Sequence, residues 1–331
     1  MSNNRREKKK KKKILLGLFM ILFVGIVLTA STYAWFTANQ TVTVQQIDIN
    51  VAAANGLQLS VDGSNWKPYI AKDEILGANS TYPGAINQVP DTMVPVSTVG
   101  ATDNSTGFMN MYLGTVVAGN SGTNILTATK TTETVTTSTS GDFVAFDLFF
   151  KVTEGNDIYL TSNSSVSAIS SSKGIENSSR VAFILEGTSD ASASISSIQA
   201  MKRPQTPIIW EPNNNAHTAN AIAHARDVYG EALTSTQVVG SYYGVKAPID
   251  STNNVGLASH DATYFSVVTP TIKTGTSGIP TSAYAQAFHL DAGVTKVRIY
   301  MWIEGQDYDC EDAASGSDLS YNLQFSILDK A

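Results

Sequence analysis

Five carboxylates lie within nine residues near the carboxyl end of the sequence, in the segment Glu304–Asp312. Three of them, Asp307, Asp309 and Glu311, occupy alternate positions, as the first ligands of a calcium-binding loop do. The glycine that such a loop needs at its sixth position is missing, because residue 312 is aspartate. Two interpretations follow. One is a calcium site, and the other, which we favour, is a solvated turn whose charges keep a strand end soluble.

The sequence contains none of the residue combinations typical of an enzyme active site. Its histidines lack the spacing of a zinc-protease motif, and neither a G-x-S-x-G nucleophile turn nor a phosphate-binding glycine loop is present. Cys310 is the only cysteine, which excludes an internal disulfide and a multi-cysteine metal site. We therefore predict a protein that is not an enzyme and needs no cofactor, with calcium left open. The four histidines are His217, His224, His260 and His289.

Charge is distributed unevenly along the 331 residues. Eight of the 22 lysines and arginines, but only one of the 28 acidic residues, precede residue 14. The remainder holds 14 basic and 27 acidic residues, a net charge of −13. Nucleic-acid binding requires clustered basic residues, so this acidic body predicts that nucleic acid is not a partner.

The basic amino-terminal segment belongs to a targeting signal. The run Arg5–Lys13 precedes the apolar stretch Ile14–Leu28, and small residues follow, which is the order of a secretory signal. Ala34 is small enough to precede a signal peptidase cleavage site, so we predict that residues 1–34 are removed and that the mature chain begins at Trp35. The alternative is an uncleaved membrane anchor, since the apolar stretch approaches the length that spans a bilayer.

The segment Ser31–Asn39, STYAWFTAN, resembles the leader of the TasA/camelysin family of exported Gram-positive proteins. Leaders of that family end in the pattern found here at Ser31–Phe36 and are cleaved by a SipW-type signal peptidase, at the point that corresponds to Ala34 and Trp35. A second stretch, Val297–Phe325, looks like the closing hairpin of clostridial surface proteins that carry the same leader. The resemblance implies an exported β-sandwich that, in the best-studied members, is a subunit of extracellular matrix fibres.

The body shows the period-two alternation of half-buried β-strands. The clearest segments are Val144–Val152, Val297–Ile303 and Leu319–Ile327. At most one short helix is predicted, within Ala219–Ala232. With long polar inserts between the strands, the pattern predicts an all-β fold: a single antiparallel β-sandwich of jelly-roll type over residues 35–331.

Charged residues in these strands predict which face of the sheet meets solvent. Asp147 and Lys151 alternate with apolar neighbours in one strand, and Arg298 does so in another. We therefore expect antiparallel strands with one apolar and one solvated face.

The segment Trp35–Val51 is the first strand candidate of the mature chain. Its branched apolar residues form two alternating sets, which are Val42 and Val44, then Ile47, Ile49 and Val51. The change of phase at Gln45–Gln46 predicts a β-bulge or a crossing between sheets. A strand that begins at a cleavage site either completes its own sheet or is added to the sheet of a neighbour, and the sequence leaves both open.

Three functional hypotheses remain. The leading one is an exported cell-surface or matrix protein that polymerises with itself, acting as a fibre subunit through exchange of its amino-terminal strand. The second is a monomeric adhesin or binding module held in the plasma membrane by residues 14–30. The third, a secreted hydrolase, is disfavoured because the motifs it requires are absent.

Overall fold

The computed structural model describes residues 41–52, 56–118, 124–135, 141–170 and 172–327. The predicted signal segment, residues 1–34, lies outside them. Among the described residues, no helix has both the length and the apolar character needed to cross a membrane.

Eighteen β-strands and three short α-helices form the regular structure of the described residues. The strands are β1 (Val42–Val51), β2 (Gln58–Ser60), β3 (Tyr69–Ala71), β4 (Thr92–Met93), β5 (Val96–Ser97), β6 (Met111–Ala118), β7 (Asn124–Thr131), β8 (Val144–Val152), β9 (Asn156–Leu160), β10 (Ser165–Ala168), β11 (Ser179–Ser189), β12 (Ile208–Pro212), β13 (Tyr242–Val245), β14 (Phe265–Val268), β15 (Ile272–Thr274), β16 (Ala285–Leu290), β17 (Gly293–Ile303) and β18 (Asp318–Ser326). The helices are α1 (Lys72–Gly77), α2 (Ile195–Gln199) and α3 (Ala219–His224), with 3-10 turns at Ala78–Ser80, Ile175–Asn177 and Asp312–Ala314.

Two sheets form a sandwich. The first sheet has the order β16–β9–β18–β1–β3, with β10 beside β18 and β4 beside β1, and the second has the order β15–β12–β11–β17–β8–β2. Apolar side chains from both sheets form one core. Four phenylalanine rings meet there with centroids 5.1–6.1 Å apart, and they are Phe150, Phe183, Phe288 and Phe325. The predicted all-β sandwich is confirmed.

The second face of the second sheet is also buried, which the sequence did not predict. Residues of β5, β6 and the ribbon β13–β14 pack against alternate residues of β8, β11 and β17 in a second apolar cluster. The expectation of a solvated face is therefore wrong for Asp147 and Arg298, which are buried, while Lys151 is partly buried. The cause is that loop residues, among them Tyr82, Phe108 and Glu133, extend this additional layer over Asp147 and Arg298 and cover the face that the alternation had assigned to water.

Two further details differ from the expected antiparallel sandwich. The pairs β1–β18 and β12–β15 are parallel.

The predicted helix begins at Ala219, continues as a π-helical turn through Tyr229, and stops at Gly230, whose φ of 71° favours glycine. Helices α1 and α2 exceed the single helix expected, because segments of six and five residues are too short to show an apolar period.

Candidate functional site

The strand β1 lies inside the first sheet of its own chain. Val42, Val44, Ile47 and Ile49 are fully buried in the sandwich core, and Val51 is partly buried against it. The predicted β-bulge is confirmed: Val44 lies opposite Leu319 and Gln46 opposite Ser320, so that Gln45 is the extra residue. In this single chain, therefore, Val42–Val51 forms an ordinary first strand.

The neighbours of β1 are of unequal length. On one side β1 runs parallel to β18 from Thr43 to Val51. On the other side, β3 pairs with Asp48–Asn50 and β4 with Val42–Thr43. No hairpin joins β1 to any of these partners, because the chain continues after residue 52 to β2 in the second sheet. Addition of β1 to a neighbouring copy stays a prediction, and the cleavage point between Ala34 and Trp35 lies outside the described residues.

The acidic segment does not form the solvated turn that we favoured. Asp307, Asp309 and Glu311 are 9 %, 1 % and 1 % exposed. Their side chains take separate partners: Asp307 contacts Arg180, Asp309 contacts His217, and Glu311 accepts a hydrogen bond of 2.7 Å from the backbone N–H of the residue two positions later. Burial arises because charged partners from distant strands and loops meet these carboxylates inside the fold.

These separate pairings also bear on the calcium prediction. No group of three or more histidine, cysteine, aspartate or glutamate side chains in the described ranges is arranged to hold a metal ion. The proposed ligands Asp307, Asp309 and Glu311 are therefore not brought together as a metal site. Asp307 is directed to Arg180 and Asp309 to His217, and one oxygen of Glu311 accepts from the backbone.

Arg180 is the centre of the polar cluster around the acidic segment. Its guanidinium lies 2.6 Å from Glu211 and 2.5 Å from Asp307, and it lies over the ring of Tyr242 at 5.2 Å. Burial acts to lower the pKa of Arg180, but the charges of Glu211 and Asp307 outweigh burial and raise it. Burial raises the pKa of Glu211 to about 7, against the opposing charge of Arg180. The arrangement is a buried ion triad, which fixes the position of the acidic segment against β11 and β12.

A second pair extends this cluster. The Nδ1 atom of His217 lies 2.6 Å from Asp309, and its Nε2 atom lies 3.0 Å from the carbonyl oxygen of Gln237. Burial raises the pKa of Asp309 to about 6, although the hydrogen bond with His217 acts in the opposite direction. Burial acts to lower the pKa of His217, but the hydrogen bond with Asp309 outweighs it and raises the pKa. The hydrogen bond therefore holds both ionisable groups together inside the fold.

Glu304, at the end of β17, is fully buried beside the same cluster. Its carboxylate accepts hydrogen bonds from the indole N–H of Trp302 at 3.1 Å and from the backbone N–H of Gln306 at 3.2 Å. Burial raises the pKa of Glu304 to about 8, despite these donors. The group is consequently protonated over most of the neutral range.

A separate cluster of charged residues is buried on the second face of the second sheet, which points away from the sandwich core. The sequence did not show that these residues lie together. Arg298 donates to Asp147 at 2.7 Å and also pairs with Glu133. The ammonium of Lys296 lies 3.1 Å from Asp147 and donates to the hydroxyl of Tyr82. The sequence did place Arg298 and Asp147 on the non-core faces of two long strands. In the structure these two residues lie directly opposite each other in the pairing of β17 with β8.

Comparisons with protein-family models, with curated proteins and with solved structures gave no match. The TasA/camelysin resemblance of the leader therefore stays a prediction.

Proposed function

We propose that the protein is an exported structural protein of the Gram-positive cell surface or extracellular matrix, whose copies assemble into fibres by exchanging strand β1. The observation that carries this proposal is the position of β1 between β18 and two short strands, with no hairpin to any of them. A strand held only by sheet pairing and core packing is supplied equally well by a second copy of the same chain.

Withdrawal of β1 leaves an apolar groove that has to be filled. Val42, Val44, Ile47 and Ile49 are buried to 0–1 % exposure, and each contributes about 1.5–3 kcal/mol of apolar burial. The ladder along β18 also loses its partner, which exposes unpaired N–H and C=O groups. Strand β1 of a neighbouring copy restores both the apolar burial and the hydrogen bonds along β18, because the strand and the groove are identical in every copy.

Exchange of this kind produces an open polymer. The donated strand and the accepting groove are different surfaces of the chain, so the contact is head-to-tail and does not close on itself. The leader supports the same function, because an assembling surface protein has to be exported before its first strand becomes available. SipW-type peptidase and other copies of the chain are the partners that follow from this proposal.

A reversible lock on β1 tests the exchange step. Asp48 and Asn322 are paired, partly buried positions of β1 and β18. Cα atoms of neighbouring strands lie about 4.8 Å apart, within the roughly 4.4–6.8 Å range of disulfides. The doubly substituted mature chain, Asp48→Cys with Asn322→Cys, is oxidised at low protein concentration, concentrated, and inspected by negative-stain microscopy. The variant with Asp48→Cys only is the matched control, since the natural Cys310 is buried.

We expect the oxidised double variant to stay monomeric, and both the reduced double variant and the control to polymerise. Oxidation after assembly should instead give a covalent ladder on a denaturing gel, because the paired cysteines then belong to different copies. Polymer formed by the locked monomer would contradict strand exchange. A mature protein that remains monomeric at high concentration would contradict the fibre function and favour the membrane-anchored binding module.

A second comparison uses adjacent residues of β1. Val44 is buried in the core, whereas Thr43 is only partly buried. A charge introduced by Val44→Asp should therefore reduce polymer yield far more than Thr43→Asp does. Circular dichroism of both variants separates loss of assembly from loss of the fold, and equal polymer yields from two folded variants would contradict the proposed role of β1.

A further inference from the structure

A β-bulge interrupts the pairing of β11 with β17. Leu185 lies opposite Val297 and Gly187 lies opposite Lys296, so that Glu186 is the extra residue. Gly187 has a φ of 135°, a conformation that favours glycine. Bulges of this type redirect a side chain and are frequent beside functional sites. The bulge therefore determines the direction in which the side chain of Glu186 points.

The side chain of Glu186 is buried beside open space in the fold. The residue is 3 % exposed, and the positive charges of Lys296, Arg298 and Lys202 act on its carboxylate. It lines two adjoining cavities of about 180 and 470 Å³, which also share Ala200, Met201 and Lys202. The second cavity has the size of a small-molecule site. Burial raises the pKa of Glu186 to about 7, although the charges of Lys296, Arg298 and Lys202 act in the opposite direction.

The charges around the cavities limit what a ligand can be. Glu186 accepts hydrogen bonds in its carboxylate form, which with a pKa of about 7 is present at neutral pH, so the ligand has to offer hydrogen-bond donors. An ammonium group would supply them but would meet the positive charges of Lys202, Lys296 and Arg298, which surround the smaller cavity. Arg203 adds a further positive charge at the larger cavity, but an anion would still meet Glu186 there and the buried carboxylate of Asp147 in the smaller one. A neutral ligand with several hydroxyl groups satisfies Glu186 and avoids both repulsions.

The remaining lining suits such a ligand. Phe108, Ile86 and Met201 contribute apolar surface to the smaller cavity. The guanidinium of Arg298 lies over the Phe108 ring at 4.6 Å and the ammonium of Lys202 at 5.3 Å, and both hold the ring in position. An apolar wall beside a few polar groups is the composition of a binding cavity for a ligand with both carbon and hydroxyl faces.

We propose that these adjoining cavities bind a neutral saccharide unit. Glu186 accepts hydrogen bonds from its hydroxyl groups, and Lys202 donates to a hydroxyl or ring oxygen. The apolar wall of Ile86, Met201 and the uncovered part of the Phe108 ring contacts the carbon face. The site lies on the outer face of the second sheet, away from β1, so that the proposal stands independently of fibre assembly.

Binding is tested on the mature protein at neutral pH by calorimetric titration and by ligand-observed NMR. The probes are D-glucose, D-galactose, D-mannose and N-acetyl-D-glucosamine with their linear trimers, and choline and inorganic phosphate represent cations and anions. The variant Glu186→Gln removes the carboxylate acceptor while keeping its shape. Glu154→Gln makes the same change at an exposed turn residue and serves as the matched control.

At least one saccharide probe should bind with a millimolar or lower Kd, and choline and phosphate should not bind. Glu186→Gln should weaken saccharide binding at least tenfold with an unchanged circular dichroism spectrum, and Glu154→Gln should leave it unchanged. If Glu186→Gln unfolds the protein, Phe108→Ala tests the same cavity through its apolar wall and should also weaken binding. Absence of binding by every saccharide probe, binding that is unaffected by both cavity variants, or selective binding of choline or phosphate would overturn the proposal.

Discussion

Replacing Glu304 by glutamine should remove a measurable part of the pH dependence of folding. Glu304 is fully buried, and burial raises its pKa from 4.5 to about 8 in spite of the donors Trp302 and Gln306. Because the folded-state pKa lies above that of the unfolded chain, the folded state binds the proton more tightly. The stability contributed by this proton is fully present below about pH 4.5 and is lost as the pH rises through about 8.

The magnitude follows from the size of this shift. Over the window in which only the folded state retains the proton, stability falls by about 1.4 kcal/mol for each pH unit. Between about pH 5 and pH 8 the loss from Glu304 amounts to about 3–4 kcal/mol. Glu186 and Glu211, both with pKa values raised to about 7 by burial, act in the same direction. Together these three carboxyl groups favour the folded state more near pH 5 than near pH 8.

The measurement is urea unfolding of the parent, Glu304→Gln and Glu154→Gln proteins at several pH values across this window. Glutamine does not titrate, so Glu304→Gln should not lose the stability that the parent loses through Glu304. From pH 5 to pH 8, the free energy of unfolding of the variant should therefore rise by about 3–4 kcal/mol relative to that of the parent. Glu154 is exposed in a turn, and its replacement should leave the profile of the parent unchanged. A parent–variant difference that stays constant from pH 5 to pH 8 would refute the reasoning.

Four shorter predictions concern other parts of the molecule. Arg298→Met should destabilise the protein by about 3–5 kcal/mol in urea unfolding, because it leaves the buried carboxylates of Asp147 and Glu133 without their guanidinium partner. A loss of stability below about 1 kcal/mol would contradict the role of these ion pairs. Gly244→Ala should cost about 3 kcal/mol or more, since a Cβ atom there would lie 2.2 Å from the backbone oxygen of Thr98, and an unchanged melting temperature would argue against this close approach. Melting in excess calcium and in EDTA should give the same midpoint, whereas a calcium-dependent rise would revive the metal site. The intact mass of the exported protein should correspond to a chain that starts at Trp35, and recovery of only the full-length chain from membranes would favour the anchored form.

The fold was predictable where the signal is local. The bulge in β1 was predictable from the change of phase between Val44 and Ile47. An extra residue in a strand shifts the period-two alternation of apolar side chains by one position. The strands β8, β17 and β18 were predictable for the same reason. Alternation reports only which residues share a face, however, and not what covers that face. The layer that buries Asp147 and Arg298 was therefore beyond the reach of the pattern.

The acidic segment was misjudged because its partners are distant in sequence. Asp307 pairs with Arg180, 127 residues earlier, and Asp309 pairs with His217, 92 residues earlier. A single sequence places five carboxylates together but does not show which cation the fold will bring to each one. Water is then the default partner, and a solvated turn is the default prediction. Glu186 was missed for a related reason, since its bulge is defined by the register of β11 against β17.

The parallel pairing of β1 with β18 has a mechanical consequence. These are the first and last described strands, and they share eight paired positions, from Thr43 with Asp318 to Val51 with Phe325. Tension applied to the chain before β1 and after β18 pulls two parallel strands in opposite directions along their axes. The ladder is then loaded in shear, so that its hydrogen bonds carry the force together instead of opening one after another. Within a fibre joined by β1, the same ladder would connect successive copies, and each junction would resist stretching through the whole length of the strand.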